Sequence, residues 1–129
     1  DREEPNTVKE PTMAVTYTTL DGVWQLRELD GGTLDEATYL YLDIDGKQHR
    51  ITIYDNIGSM YTQITTGEFS IEHNQANEYI ISGRYDNGVG AWNDSYKVTL
   101  LAAGEEMLWC SITTGEQTQY KRVEALPEF

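Results

Sequence analysis

The 129 residues of the chain fit a single domain and leave no length for a second one. Hydrophobic residues make up 39% and aromatic residues 11%, a composition typical of a folded chain, and the many tyrosines and threonines favour strands. Asp and Glu number 22 against nine Lys and Arg, so the formal charge of -13 argues against nucleic acid and anionic lipid as partners.

Residues 1–19 are rich in charged residues, proline and threonine and have no sustained apolar period. They predict a flexible N-terminal leader, followed by a folded domain over residues 20–129. The chain starts at Asp1 rather than Met, from which we expect that a targeting segment has been removed. No apolar run approaches the roughly 20 residues of a membrane-spanning helix, so the protein is not expected to be transmembrane.

Alternating apolar and polar residues predict strands throughout the domain. In the first strand Trp24, Leu26 and Glu28 share one face. Strands are predicted at residues 22–29, 39–45, 48–55, 78–85, 95–102, 106–113 and 117–124. No segment has the period of an amphipathic helix, so the domain is predicted to be all-β, either a meander closed on itself or a sandwich.

Residues 60–72 allow two interpretations. They form either one long strand kinked at Gly67 or two strands joined by a hairpin there. A single strand makes eight in total, and an up-and-down connection then places the loops at 30–38, 55–59, 86–94 and 113–116 at one end. A hairpin would move the later loops to the other end.

Gly22-x-Trp24 near the start and Tyr120-x-Arg122 near the end resemble the lipocalin, or calycin, superfamily, and more closely the bacterial lipocalin-like lipoproteins. The resemblance covers roughly residues 20–124. It implies a single antiparallel, mainly up-and-down eight-stranded β-barrel, with the Trp across one closed end and the Arg packed over it. It also implies a periplasmic protein, or one anchored at the cell surface or outer membrane through a removed N-terminal signal.

The physics of a closed barrel supports the same placement. The last strand pairs with the first, so Arg122 can reach Trp24. A guanidinium over an indole contributes about 1 to 2 kcal/mol when partly desolvated. Gly22, Trp24 and Arg122 are therefore predicted to form a structural plug, and ligand binding is expected at the opposite end.

The inward face of such a small barrel either packs solid or lines a cavity. Alternation places Leu108, Cys110 and Ile112 inward, with Met107 and Trp109 outward. The candidate ligand-binding residues are Leu26, Glu28, Leu40, Trp92, Tyr96, Ile112 and Tyr120.

Two tryptophans outside the plug have several interpretations. Trp92, in a loop of small residues, is expected to act as a lid, a sugar-stacking platform or a cap folded back on the domain. An outward Trp109 would lie either under the leader or on an association surface, which would make the protein a weak homodimer.

Catalytic and metal-binding patterns are weak. His49 and His73 lie on different elements with no Ser or Cys beside them to complete a nucleophile–base pair. Asp43-x-Asp45-Gly46 starts like a calcium loop but lacks the later ligands. We therefore expect no enzymatic activity, no metal and no cofactor.

The sequence predicts a non-enzymatic binding module whose lipocalin-like barrel holds a small apolar or amphipathic ligand at its open end. The alternative is a structural or interaction protein of the bacterial cell envelope. Its core would be packed, and its outer surface would bind a protein or glycan partner.

Overall fold

The computed structural model describes residues 14–86, 88–92 and 94–129. Its elements are α1 (Tyr17–Leu20), β1 (Gly22–Leu29), β2 (Gly32–Thr33), β3 (Leu40–Asp45), β4 (Arg50–Asp55), β5 (Gln63–His73), β6 (Tyr79–Tyr85), β7 (Gly90–Ala91), β8 (Tyr96–Leu101), β9 (Glu106–Ser111) and β10 (Gln117–Val123). No helix in this part of the chain is long and apolar enough to cross a membrane.

Eight of the strands form a closed antiparallel barrel. Their order is β1-β3-β4-β5-β6-β8-β9-β10, and β10 pairs with β1 to close it. The short strands β2 and β7 pair with β1 and β6 outside this circle. The predicted all-β, mainly up-and-down eight-stranded barrel is confirmed.

The ambiguous segment around Gly67 is one strand, because β5 runs unbroken for 11 residues. A Cβ atom on Gly67 would lie 2.4 Å from the carbonyl oxygen of Arg84. The glycine is therefore needed for the close approach of β5 and β6 and does not form a turn. The connections after β1, β4, β6 and β9 consequently share one end, called the open end below, and those after β3, β5 and β8 share the closed end.

Trp24 lies across the closed end and is fully buried. Its indole Nε1 donates a hydrogen bond of 2.9 Å to the carbonyl oxygen of Leu20. The Cζ atom of Arg122 lies 4.2 Å from the Trp24 ring centroid. The aromatic face, its N–H group and the guanidinium are thus all used in closing the barrel.

Arg122 also ties three chain segments together at this end. Its guanidinium donates to the carbonyl oxygens of Thr19 at 2.8 Å, Asp21 at 2.7 Å and Gly104 at 3.1 Å. A Cβ on Gly22 would lie 2.6 Å from Nη1 of Arg122, and the φ angle of 130° at Gly22 is one that other residues rarely adopt. Gly22, Trp24 and Arg122 therefore lie together in one hydrogen-bonded unit.

Residues 14–20 pack against the closed end. Thr16 caps α1, and Val15 and Leu20 are buried in the core. The Tyr17 hydroxyl accepts a hydrogen bond of 3.1 Å from the Ile71 backbone N–H. The packed part of the chain thus begins before residue 20, and the rest of the predicted leader, residues 1–13, lies outside the described residues.

The face assignment of β9 was wrong. Met107, Trp109 and Ser111 are buried, whereas Leu108 and Cys110 are half-buried. Pairing explains the phase, because directly paired residues share a face of the sheet. Met107 pairs with Leu100 and Trp109 with Val98, and both partners point into the barrel. Burying Met and Trp also removes more apolar surface from water than burying Leu and Cys.

Candidate functional site

A cavity of about 240 Å³ occupies the open half of the barrel. One side of it, the aliphatic wall, is formed by Leu40, Leu42, Ile51 and Ile53 of β3 and β4. The other side, the aromatic wall, is formed by Tyr85, Trp92, Tyr96, Trp109 and Tyr120; Glu116 and Thr118 complete the lining. This volume exceeds the roughly 150 Å³ that holds a benzene molecule but is below the roughly 300 Å³ typical of larger ligands.

The rings of the aromatic wall form one connected cluster. Trp92 is central, with ring centroids 6.2 Å from Tyr85, 6.5 Å from Tyr96 and 6.4 Å from Trp109. Trp109 extends the cluster to Tyr96 at 5.3 Å and to Tyr120 at 5.6 Å. These separations fall within the range of favourable aromatic pairs, so the wall is a packed surface of ring atoms.

Trp92 is folded back against the barrel because its neighbours leave room for it. Its backbone N–H donates to the carbonyl oxygen of Gly83 at 2.8 Å, which continues the pairing of β7 with β6. A Cβ on Gly83 would lie 2.6 Å from Cε2 of Trp92, so the indole occupies the space that the glycine leaves free. Of the predicted roles, this position matches a folded-back cap that also lines the cavity.

Two indole N–H groups in the aromatic wall lack hydrogen bonds. Nε1 of Trp92 and Nε1 of Trp109 are buried and have no partner among the described residues. An unpaired buried donor costs about 1 to 3 kcal/mol, and native proteins contain few of them. The aromatic wall is therefore held in its arrangement at a cost to stability.

The titratable groups at the aromatic wall are phenols and carboxylates. Burial raises the pKa of Tyr120 to about 12, and burial together with the nearby carboxylate of Asp94 raises the pKa of Tyr96. Among the described residues that line the cavity, Glu116 is the only charged one, and none is Lys, Arg or His. The cavity thus presents neutral phenols and carboxylate charge at its open side.

Asp94 is fixed beside this wall by hydroxyl groups at the end of β9 and in the connection after it. Ser111 Oγ donates to Oδ2 of Asp94, and Thr113 Oγ1 donates to Oδ1 at 2.9 Å. The hydrogen bond from Ser111 is the main reason why the pKa of Asp94 is lowered. The carboxylate is therefore held ionised next to Tyr96.

Four of the seven candidate ligand-binding residues line the cavity: Leu40, Trp92, Tyr96 and Tyr120. Leu26 is 4% exposed and belongs to the core, outside the lining. Ile112 follows the end of β9 and is 56% exposed, so its inward assignment was wrong. The phase of β9 described above puts it outside.

Glu28 was also assigned to the wrong face. A β-bulge between Leu26 and Glu28 shifts the register, so that Leu26 pairs with Tyr120 but Glu28 pairs with Gln119. Since neighbouring residues of a strand alternate faces, Glu28 points away from the side that Tyr120 occupies. A bulge of this kind leaves no signature in a sequence that alternates regularly.

Seven lining residues were not among the candidates: Leu42, Ile51, Ile53, Tyr85, Trp109, Glu116 and Thr118. Three of them show why. Trp109 was missed because β9 was read in the wrong phase. Tyr85 continues the alternation of Tyr79 and Ile81 along β6, so the sequence pattern contained its signal. Glu116 lies in the connection after β9, which the strand count had already placed at the open end.

The histidines lie at the closed end, His49 in the connection after β3 and His73 at the end of β5. The His49 ring stacks on Tyr17 at 3.6 Å and the His73 ring on Tyr79 at 4.4 Å. Neither is among the residues that line the cavity. Within the described ranges, no group of three or more His, Cys, Asp or Glu side chains is placed to hold a metal ion.

No family model, curated protein or solved structure matches the chain. The class that the structure defines is a closed eight-stranded antiparallel β-barrel with a cavity in its open half. The resemblance to lipocalins remains a prediction, based on the residues of the closed end.

Proposed function

We propose that this chain is a non-enzymatic binding module that holds a small apolar or amphipathic ligand at the open end of its barrel. The cavity of about 240 Å³ between the aliphatic and aromatic walls is the observation that carries the proposal. The closed end is occupied by the hydrogen-bonded unit of Trp24 and Arg122, which leaves the open end as the route of entry.

The polarity of the lining favours an amphipathic ligand. Tyr120 is only 6% exposed, and Leu42 and Ile51 are buried, whereas Glu116 is exposed in the connection after β9. A bound molecule would place its apolar part between the walls and its polar part near Glu116. Small concave sites with mostly apolar linings and few polar groups are the usual form of ligand pockets.

The three tryptophans provide a direct test by NMR of the indole N–H signals. Benzyl alcohol and 1-hexanol would be titrated as neutral amphipathic probes. We expect the signals of Trp92 and Trp109 to shift while that of Trp24, at the closed end, stays in place. The variant Leu40→Trp should fill the cavity and abolish the shifts. Leu108→Trp, on the half-buried outer face of β9, is its matched control. Equal shifts of all three signals, or none, would contradict the proposal.

A lipocalin relationship and an envelope location are part of the same proposal. The resemblance carried by Gly22, Trp24 and Arg122 supports both, and it implies a periplasmic or membrane-anchored protein. Fractionation of cells that produce the protein from its natural gene would test the location. Recovery in the cytosolic fraction would contradict it.

A second candidate function has one observation in its favour, a group of exposed apolar side chains at the open end. Met60 is 89% exposed and Ile64 is 63% exposed, with Tyr61 and Val89 between these values. Grouped exposed apolar residues often mark association surfaces. Sedimentation over a concentration series would detect self-association, which Met60→Ser should weaken. A monomer at all concentrations, together with no binding on a glycan array, would count against this candidate.

A further inference from the structure

We infer that the cavity takes a small organic cation, an alkylammonium group held against the aromatic wall. This inference rests on the proposed function and names the chemical class of its ligand. It follows from three features of the same site: the number of aromatic rings, the sign of the charges around them and the size of the space.

The aromatic wall supplies the chemistry that binds organic cations. A cation is attracted to the electron-rich face of an aromatic ring within about 6 Å, most strongly by Trp and then by Tyr, and the attraction grows when water is excluded. Two Trp and three Tyr side chains line the cavity together. Binding of a purely apolar ligand would not require that one half of the lining be aromatic while the other half is aliphatic.

The charges around the cavity favour the same class. An anionic ligand would meet Glu116 in the lining and lie near the Asp94 carboxylate beside Tyr96, with no basic group among the described lining residues to pair with it. A cation instead gains from both carboxylates, and the formal charge of -13 raises the local concentration of cations around the protein.

The aliphatic wall fits the methyl groups of an alkylammonium ion. Such a group has an apolar surface around its charge, so Leu40, Leu42, Ile51 and Ile53 can contact it without leaving polar atoms unpaired. The volume of about 240 Å³ admits a group of this size but not a long lipid chain. Compact quaternary or tertiary ammonium groups satisfy both walls.

Choline and its uncharged carbon isostere, 3,3-dimethylbutan-1-ol, form a matched pair of probes with the same shape. Binding of each to the whole protein would be measured by titration of the Trp92 and Trp109 indole signals. We expect choline to bind at least about tenfold more tightly than the isostere, which corresponds to about 1.4 kcal/mol. Trp92→Leu should reduce this preference.

Two charge variants distinguish attraction of choline by the carboxylate at the cavity from attraction by the net negative charge of the whole protein. Glu116→Gln is expected to weaken choline binding about threefold while leaving the isostere unchanged, since an exposed carboxylate acts through a screened interaction. Glu105→Gln makes the same change of charge at the closed end, where Glu105 is exposed, and should alter neither affinity. Equal losses of choline binding in the two variants would overturn the assignment to this cavity.

The remaining outcomes distinguish this inference from the function on which it rests. If the isostere binds as tightly as choline or more tightly, the alkylammonium inference is wrong, whereas the proposal of a binding module is retained. The favoured ligand would then be a neutral molecule whose oxygen accepts hydrogen bonds from the indole N–H groups of Trp92 and Trp109. If neither choline, the isostere nor the neutral alcohols shift the two signals, both proposals are wrong.

Discussion

Both ends of the barrel contain buried tryptophans, but their indole groups make different contacts at the two ends. At the closed end the Trp24 N–H is hydrogen-bonded and its ring lies under Arg122. At the open end Trp92 and Trp109 stack on each other, and their N–H groups lack partners among the described residues. The largest fully buried side chains are Leu20, Trp24, Ile44, Ile81, Leu100 and Met107, which fill the closed half.

This difference separates the part of the molecule that maintains the fold from the part available for binding. A satisfied donor under a packed ring stabilises the folded state and has nothing left to offer a ligand. An internal space and unpaired donors lower stability, and proteins retain such features mainly where function requires them. Substitutions at the two ends should therefore have different consequences.

The largest effect is expected from Trp24→Ala. Removing a fully buried indole at the closed end should lower the free energy of unfolding by about 3 to 5 kcal/mol, because it leaves a void and also frees Arg122 and the Leu20 carbonyl. Urea unfolding measures this value. Trp92→Ala, at a half-buried ring of the open end, should cost clearly less. Equal losses at both positions would remove the distinction between the ends.

A smaller effect is expected from Tyr120 at alkaline pH. The folded protein holds its pKa at about 12, against about 10 in an unfolded chain, so the neutral phenol favours folding. This contribution is fully present below pH 10 and is lost as the pH rises through 12, for a total of about 2 to 3 kcal/mol. Urea unfolding between pH 9 and pH 12 would measure the decline. Tyr120→Phe should show a shallower decline, and an unchanged slope would contradict the assignment to this residue.

The smallest effect is expected from Trp109→Phe. The smaller ring leaves a void worth roughly 1 kcal/mol, but the substitution also removes an unpaired donor that costs about 1 to 3 kcal/mol. Stability should therefore be unchanged or up to about 2 kcal/mol higher than that of the wild type. Trp24→Phe is the matched control, because it removes a donor that is bonded and should lose about 2 kcal/mol. A larger loss at Trp109 than at Trp24 would show that the two rings are not distinguished by their hydrogen bonds.

Most of the fold was predictable because it depends on local patterns. Regular alternation located the barrel strands to within a few residues, and the glycine turns separated them. The sequence could not show whether Gly67 lies within a strand or in a turn. A glycine is needed there because the Arg84 carbonyl of the neighbouring strand comes too close for a side chain. A glycine required by a close approach and a glycine required by a turn are identical in sequence.

The cavity lining was harder to predict because both faces of some strands are apolar. In β9, Met107 and Trp109 alternate with Leu108 and Cys110, so local sequence offers no polar face to mark the outside. Pairing with Val98 and Leu100 decides the phase, and that information is distributed over three strands. The bulge that turns Glu28 outward depends in the same way on its partner, Gln119.

Closure of the barrel by β1 and β10 has a consequence for synthesis on the ribosome. Val23 pairs with Val123, so β1 is made at the start of the domain and receives this partner only when nearly all of it has been translated. Until then its backbone N–H and C=O groups on that side form a free edge, which can pair with another chain. Contacts so distant in sequence form slowly. When several ribosomes translate one message, a chaperone that covers the free edge of β1 would therefore keep the nascent chains from pairing with one another.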